Sequence, residues 1–292
     1  MENDNFQLSK KVRRIEIKTR RLTDEVLAGS YHSAFKGRGM TFSEVREYGY
    51  GDDMRSIDWN VTARFNHPFI KVFEEERELT VILLIDVSGS NNIGSTAVSK
   101  NERIAELAGT LAFSALRNND KVGVIFFSDK IEKFIPPKKG QQHILRIIRE
   151  LITFKPEGQG TNITAALEYF NRVVNRRGIV FLISDFIDNG YERAFAITAR
   201  KHDLVALRVI DKIESSVPGS GLVLMQDSET GQLRVIDSNG ATARMYNSWW
   251  NQQQQYLTQT AAKFNIDVVD FKTHEDFVKP LAKLFKKRGK RI

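Results

Sequence analysis

From residue 79 onward the chain alternates two hydrophobic patterns. Continuous apolar runs of strand length, Val81–Ile85, Val122–Phe127 and Ile179–Ser184, are rich in β-branched residues and suit buried parallel strands, and Leu204–Ile210 is expected as a further strand. Between them, apolar residues recur at helical spacing. Ile104, Leu107, Ala108, Leu111, Ala115 and Leu116 predict a helix over about 101–117. Ile144, Ile147, Ile148 and Leu151 mark a second, and Ile163, Ala166, Leu167, Phe170 and Val174 a third, with another around 190–200. Ile131–Ile135 is expected as an antiparallel neighbour of Val122–Phe127, joined through the Ser128-Asp-Lys turn and stopped by Pro136-Pro137. Strands alternating with helices imply right-handed crossovers and a mostly parallel sheet covered on both faces, with Thr80–Ile85 near its centre. The C-terminal part adds a helix over about 242–263, a strand Ile266–Phe271, and a helix with the stripe Phe277, Val278, Leu281, Leu284 and Phe285, started or kinked by Pro280. Trp249 and Trp250 in the long helix cannot share one face, so one is expected to be partly exposed. The fold class is α/β, a doubly wound sheet built from residues 79–210 and 264–271.

Two stretches break the rhythm. Within 211–240, Leu222–Gln226 and Leu233–Asp237 flank a turn at Gly231 and read as a hairpin inserted in the sheet domain. At the other end, Val12, Ile15 and Ile17 fit neither strand nor helix well, and a short helix is expected over Thr23–Tyr31, ending near Gly29. Alternation in Phe42–Tyr48 and Phe69–Phe73 predicts a small β flap, with Gly51-Asp-Asp as a turn between and Ile57 and Trp59 as core anchors. Arg46, Asp53, Arg55, Asp58 and Arg64 can form a salt-bridged lattice holding the flap together. Alternatively, Asp53, Arg55, Asp58, Trp59 and Arg64 form a surface for a partner. The expected organisation is therefore residues 1–78 as basic tail, short helix and flap, and 79–292 as the α/β domain.

Composition narrows the chemistry. The chain of 292 residues contains no Cys, which excludes disulfide frameworks, zinc fingers and thiol catalysis. Its five His are scattered without metal-ligand spacing. The longest apolar runs are too short to span a bilayer, and the first residues do not form a signal peptide, so a cytoplasmic location is expected. The net charge of +8 sits at the ends: residues 10–21 hold seven basic residues and residues 283–292 six, while the body between is close to neutral. Basic ends can touch nucleic acid or anionic lipid, but solvated tails or a grip on an acidic partner are the commoner outcome.

The chemistry-bearing residues gather at strand ends. After Thr80–Ile85 come Asp86, Ser88 and Ser90, which point the same way if the segment stays extended. Thr161 lies in the glycine-flanked loop Lys155-Pro-Glu-Gly-Gln-Gly-Thr-Asn, where it can also serve as a helix N-cap. Asp185 follows Ile179–Ser184, where an Asp also suits a turn. At the carboxyl ends of parallel strands these supply three hydroxyls and two carboxylates, an all-oxygen set suited to a hard cation such as Mg²⁺. Mn²⁺ or Ca²⁺ would also be accepted.

Asp-x-Ser-Gly-Ser, Gly-Thr-Asn and Ser-Asp, in this order, resemble the metal-ion-dependent adhesion site of von Willebrand factor A domains. The resemblance implies that Ser88, Ser90 and Thr161 are metal ligands, with Asp86 and Asp185 binding directly or through water. A partner's carboxylate oxygen would complete the metal's shell. The upstream segment Gly51-Asp-Asp-Met-Arg-Ser-Ile-Asp-Trp-Asn, with Ala63-Arg and Lys71-Val-Phe-Glu-Glu-Glu, is similar to a bacterial family catalogued as domain of unknown function 58. One departure from that family is Asn91, where relatives often place an apolar residue. The family resemblance implies a non-enzymatic, metal-dependent adaptor or co-chaperone of a MoxR-type AAA+ ATPase, with a partner offering an acidic side chain. Two alternatives are a Mg²⁺-dependent phosphotransferase or hydrolase using Asp86, and nucleic-acid binding through the basic ends. A haloacid-dehalogenase-like enzyme needs a second acid where Ser88 stands. A hydrolase nucleophile at Ser88 needs glycine where Asp86 stands. A dinucleotide site needs a Gly-x-Gly-x-x-Gly that residues 86–91 lack.

Overall fold

The structure is a computed structural model that describes residues 2–35, 39–76, 78–92, 99–215, 221–226, 233–237 and 240–290. In chain order its elements are α1 (Glu2–Leu22), a π-helical turn (Thr23–Leu27), α2 (Ala28–Ala34), β1 (Gly39–Glu47), α3 (Trp59–Phe65), β2 (Phe69–Glu76), β3 (Thr80–Asp86) and α4 (Lys100–Arg117). There follow β4 (Lys121–Phe127), β5 (Ile131–Lys138), α5 (Gln141–Thr153), α6 (Ile163–Val173), β6 (Ile179–Ser184), α7 (Glu192–Lys201), β7 (Asp203–Ile210) and α8 (Lys212–Ser215). The chain ends with β8 (Leu222–Gln226), β9 (Leu233–Asp237), α9 (Ala241–Lys263), β10 (Asp267–Lys272) and α10 (Val278–Gly289).

Six strands form one sheet in the order β10-β7-β6-β3-β4-β5, all parallel except the edge pair β4–β5. Residues 81–86 of β3 are buried, as befits a central strand covered on both faces. Alternate residues divide between the faces: Ile82, Leu84, Ile125 and Phe127 pack with α6, α7 and α9, and α4, flanked by α1 and α5, covers the other face. The chain leaves β3 towards β4 on one side and returns through β6 on the other. The β3/β6 boundary is thus the switch point where an open α/β sheet leaves a crevice beyond the strand ends. The expected α/β class, a doubly wound and mostly parallel sheet with helices on both faces, is the one observed. β8 and β9 pair as the expected antiparallel hairpin; its turn at Gly231 lies outside the described residues.

Two differences have local causes. β5 runs through Pro136 and Pro137 instead of stopping at them, because it is an edge strand and needs no outward N–H at those positions. Opposite them, a Cβ on Gly123 would sit 2.9 Å from the Pro137 nitrogen, so only glycine fits the irregular pairing there. The N-terminus, expected to be irregular, is the helix α1. Its buried stripe, Val12, Ile15 and Thr19, continues as Thr23 and Leu27 in the π-helical turn, and two of these residues are threonines whose hydroxyls bond back to the carbonyls of Ile15 (2.7 Å) and Thr19 (2.8 Å).

Residues 1–34 and 79–292 make one compact unit and residues 35–78 another, so the boundary differs from the expected division at residue 78. The N-terminal helices join the larger unit through specific contacts. Tyr31 packs edge-on to Phe285, and its hydroxyl donates to Asp120, which also accepts from the Leu79 N–H. Lys18 pairs with the buried Glu106 of α4. Part of the basic character of both ends is therefore internal: Arg288 of α10 is buried against Asp203 and Asp267.

The smaller unit is a β1–β2 antiparallel pair bulged between Phe42 and Glu44, with α3 between its strands. Asp58 caps α3 by accepting from the Asn60 and Val61 N–H groups, and Asp53 caps the 3₁₀ turn Met54–Ser56. The expected lattice is not formed: Arg46 makes a bidentate pair with Asp52 (2.7 and 2.9 Å), and Asp58 lies 3.5 Å from Lys71. Trp59 is 70% exposed and is no core anchor, because it occupies the first turn of a short helix whose caps already fix it. Ile57 is half-buried and bridges to Ile70, so it does anchor the unit.

Candidate metal and partner site

Asp86 ends β3 and Asp185 follows β6, placing two buried carboxylates at the switch point. The Asp86 Oδ1 accepts from the Ser88 N–H at 2.9 Å, a turn that ends the extended backbone. Ser88 and Ser90 therefore do not converge through strand alternation as expected. They converge because the chain coils into a 3₁₀ turn at Gly89–Asn92, which leaves their hydroxyls 3.1 Å apart. Ser90 Oγ donates to Asp185 Oδ2 at 2.7 Å.

Thr161 joins from the loop before α6, donating to Asp86 Oδ2 at 3.2 Å. It is free to do so because Asn162, not Thr161, caps α6, accepting from the Ala165 N–H at 2.9 Å. The loop before it is pinned by the Gly89 N–H to the Gln159 carbonyl and the Asn162 N–H to the Ser128 carbonyl. At Gly158 a Cβ would collide with the Ser128 hydroxyl and the Asp129 carboxylate, so the loop lies flush against the β4–β5 turn. All five residues singled out in the sequence, Asp86, Ser88, Ser90, Thr161 and Asp185, thus belong to one hydrogen-bonded cluster.

The structure adds residues that the sequence did not flag. Ser184, the last residue of β6, donates to Asp86 Oδ2 at 2.6 Å and accepts from the Phe186 N–H at 3.0 Å. Phe186 has φ +60, a costly left-handed conformation for an aromatic residue, held by packing against Tyr191 and Phe195. The reversal follows directly after Asp185, whose Oδ1 accepts from the Ile187 N–H at 3.2 Å while its Oδ2 meets Ser90. Lys100, the first residue of α4, is fully buried and donates to Asp185 Oδ2 at 2.9 Å and to Glu214 Oε1 at 2.7 Å. Glu214 itself is held by the Asp211 N–H, and Asp211 accepts from Thr273. A lysine opening a helix reads in sequence as a solvated cap residue; only the fold shows that its ammonium points inward.

The electrostatics follow from burial and spacing. Burial, with the charge of Asp185 added, pushes Asp86 from the usual 3.8 up to about 6, against the hydrogen bonds it accepts. Burial acts the same way on Asp185, but the Lys100 ammonium and the hydrogen bonds from Lys100 and Ser90 outweigh it and hold this carboxyl below its usual range. Burial would discharge Lys100, and its two carboxylate partners more than reverse that. Glu214 is raised, by burial first, with Lys100 opposing. Of the two carboxylates sharing Lys100, Asp185 is therefore the firmly ionised one.

No group of three or more His, Asp or Glu side chains arranged for metal binding occurs among the described residues. The donors here are mainly hydroxyls around two carboxylates. Their chemistry still fits a hard divalent cation: the set is all oxygen, and Asp86 is a buried acid whose ionisation is costly without added positive charge.

A profile of the family described as "Protein of unknown function DUF58" matches residues 44–256, well over half of the chain. The chain belongs to the DUF58 family. An uncharacterized protein of Mycobacterium tuberculosis is 29% identical over 241 residues, spanning 82% of this chain and 76% of its own. The uncharacterized Bacillus subtilis protein YeaD is 27% identical over 109 residues, 37% of this chain and 25% of its own. Among solved structures, a conserved hypothetical protein BatB of Bacteroides thetaiotaomicron aligns with TM-score 0.49 and 20% identity, covering 73% of this chain and 99% of its own. The von Willebrand factor A domain of SpRpn10 aligns with TM-score 0.42 and 10% identity over 72% of this chain and 95% of its own. No helix among the described residues of this DUF58 chain is long and apolar enough to cross a membrane.

Proposed function

We propose that this DUF58 protein is a non-enzymatic protein-interaction module that depends on a divalent cation, Mg²⁺ or a similar hard ion. The observation that carries this reading is the single cluster joining Asp86, Ser88, Ser90, Thr161 and Asp185 at the switch point. Ser88, Ser90 and Thr161 would hold the ion with Asp86 and Asp185, directly or through water. When bound, the ion would supply an open coordination position for a partner's carboxylate oxygen. Ser184 holds Asp86 in place by donating to its Oδ2, and Ser90 holds Asp185 in the same way.

An enzymatic reading draws less support. The Ser88 hydroxyl meets the hydroxyl of Ser90 and the carboxylate of Asp86, and no His among the described residues bonds to it to act as the base a serine nucleophile needs. The role as adaptor or co-chaperone of a MoxR-type AAA+ ATPase rests on the sequence resemblance alone. The exposed Trp59 beside Asp53, Arg55, Asp58 and Arg64 is the second surface proposed to meet a partner, since large exposed aromatics and arginines dominate binding energy at interfaces.

Calorimetric titration with Mg²⁺ and Mn²⁺, beside Asp86→Ala, tests the metal reading. Saturable one-site binding that the variant lacks supports it, and wild-type binding retained in the variant refutes it.

A further inference from the structure

Lys100 has no part in the reading above, yet it is the only cation among the described residues bonded directly to the cluster. Its side chain is wholly buried, so it cannot touch a partner. What its ammonium can do is set the charge that an incoming cation meets. Ser90 and Lys100 share one oxygen, Asp185 Oδ2, at 2.7 and 2.9 Å, so the positive charge sits on the carboxylate the cluster would offer a metal. The same ammonium is bonded at 2.7 Å to Glu214, on the short helix that follows β7. One cation is thus divided between two carboxylates, of which only Asp185 belongs to the cluster.

We infer that Lys100 is a tethered counter-ion that weakens cation binding at the cluster, and that Glu214 sets how strongly it does so by drawing the ammonium away from Asp185. This rests on the metal-site reading and assigns two residues a role within it. A buried positive charge lowers the affinity of a divalent ion a few ångströms away, because the low-dielectric interior screens it poorly. The consequence is a site that takes up its ion weakly alone and holds it when a partner's carboxylate adds negative charge.

The two residues have opposite expected effects, which a merely structural role would not produce. Lys100→Met keeps the length of the side chain and removes the charge; Mg²⁺ binding should tighten by about tenfold or more. Glu214→Gln leaves the full ammonium on Asp185; binding should weaken by about tenfold. Because Lys100→Met leaves two buried carboxylates facing each other and can unfold, the double variant Lys100→Met/Glu214→Gln is measured against Glu214→Gln, where restored tight binding isolates the ammonium. Calorimetry supplies the affinities, and the rise in melting temperature on adding Mg²⁺ supplies an independent reading that should be largest in Lys100→Met. Affinities that move in the same direction in both single variants, or a double variant no tighter than Glu214→Gln, overturn the inference while leaving a wild-type site intact. Uptake only by variants lacking Lys100 supports it in its strongest form. No binding by any of the four proteins removes the metal-site reading itself, and this inference with it.

Discussion

Ser184 Oγ donates to Asp86 Oδ2 at 2.6 Å across the gap between β6 and β3, tying together the two strands between which the sheet changes direction. The same hydroxyl accepts from the Phe186 N–H, so it also braces the strained turn that presents Asp185. Ser184→Ala strands the buried Phe186 N–H and removes one of the hydrogen bonds that Asp86 accepts, and should cost about 1–3 kcal/mol in denaturant unfolding. It should also weaken Mg²⁺ binding by raising the cost of ionising Asp86. A variant with wild-type stability and wild-type binding would show that Ser184 braces neither group.

The pH dependence of the metal-free protein should carry the signature of Asp86. Its folded pKa is raised from 3.8 to about 6, so between those values the folded state binds a proton that the unfolded chain releases. Stability from this group is therefore full below about pH 4, falls as pH rises through the window, and is flat above about 6. Glu214, also raised, adds to the fall; Asp185, held low, acts oppositely and only at more acid pH. Unfolding measured against pH in chelator should show a shallower decline for Asp86→Asn than for wild type. With Mg²⁺ present the trend reverses in the wild type, since the carboxylate must ionise to hold the ion.

Thr161 and Asn162 are adjacent, and only the structure separates their roles. Asn162 accepts from the Ala165 N–H and caps α6, while Thr161 reaches Asp86. Asn162→Ala should cost about 1 kcal/mol of stability, the usual loss of a cap. Thr161→Val should leave unfolding nearly unchanged and reduce Mg²⁺ affinity. If Thr161→Val instead destabilised the protein as much as the cap variant, Thr161 would be a structural residue.

What could be read from the sequence tracks how directly each feature depends on local pattern. The strands of the sheet announce themselves because both their faces are buried, giving unbroken runs such as Val81–Ile85 and Ile179–Ile183. Helix α1 and the π-helical turn after it hide because Thr19 and Thr23 stand where aliphatic residues would make their common stripe visible. Asp86, Ser88, Ser90 and Asp185 could be picked out because they follow apolar strands, and Thr161 because it stands in a glycine-flanked loop. Lys100 and Glu214 could not, since a lysine at a helix start and a glutamate after a strand are ordinary surface residues until folding turns them inward. In the small unit, Asp52 rather than Asp53 meets Arg46, a one-residue distinction set by the turn at Gly49–Asp52, where the Asp52 carboxylate also accepts from the Gly49 N–H.

At the opposite end of the sheet, Arg288 closes the C-terminus onto the starts of β7 and β10. Its guanidinium donates to both oxygens of Asp203 at 2.7 and 2.8 Å and to Asp267 at 2.8 Å, with little exposure. Burial alone would raise Asp267, but the hydrogen bonds from Lys287 and Arg288 outweigh it and hold the carboxyl low. Arg288→Met removes the charge and leaves Asp267 buried without its main partner, at a cost of about 3 kcal/mol or more. Lys287 donates to the same carboxylate at 3.0 Å, yet its side chain is 55% exposed, so Lys287→Met should cost less than about 1 kcal/mol. Because the Asp267 pKa is depressed, the stability that Arg288 supports is present at neutral pH and lost as pH falls through the acid range. Denaturant midpoints of the two variants at neutral and acid pH should therefore converge for Arg288→Met and wild type as the solution is acidified. A constant gap across that range would mean that Arg288 acts by packing its stem and not by its charge.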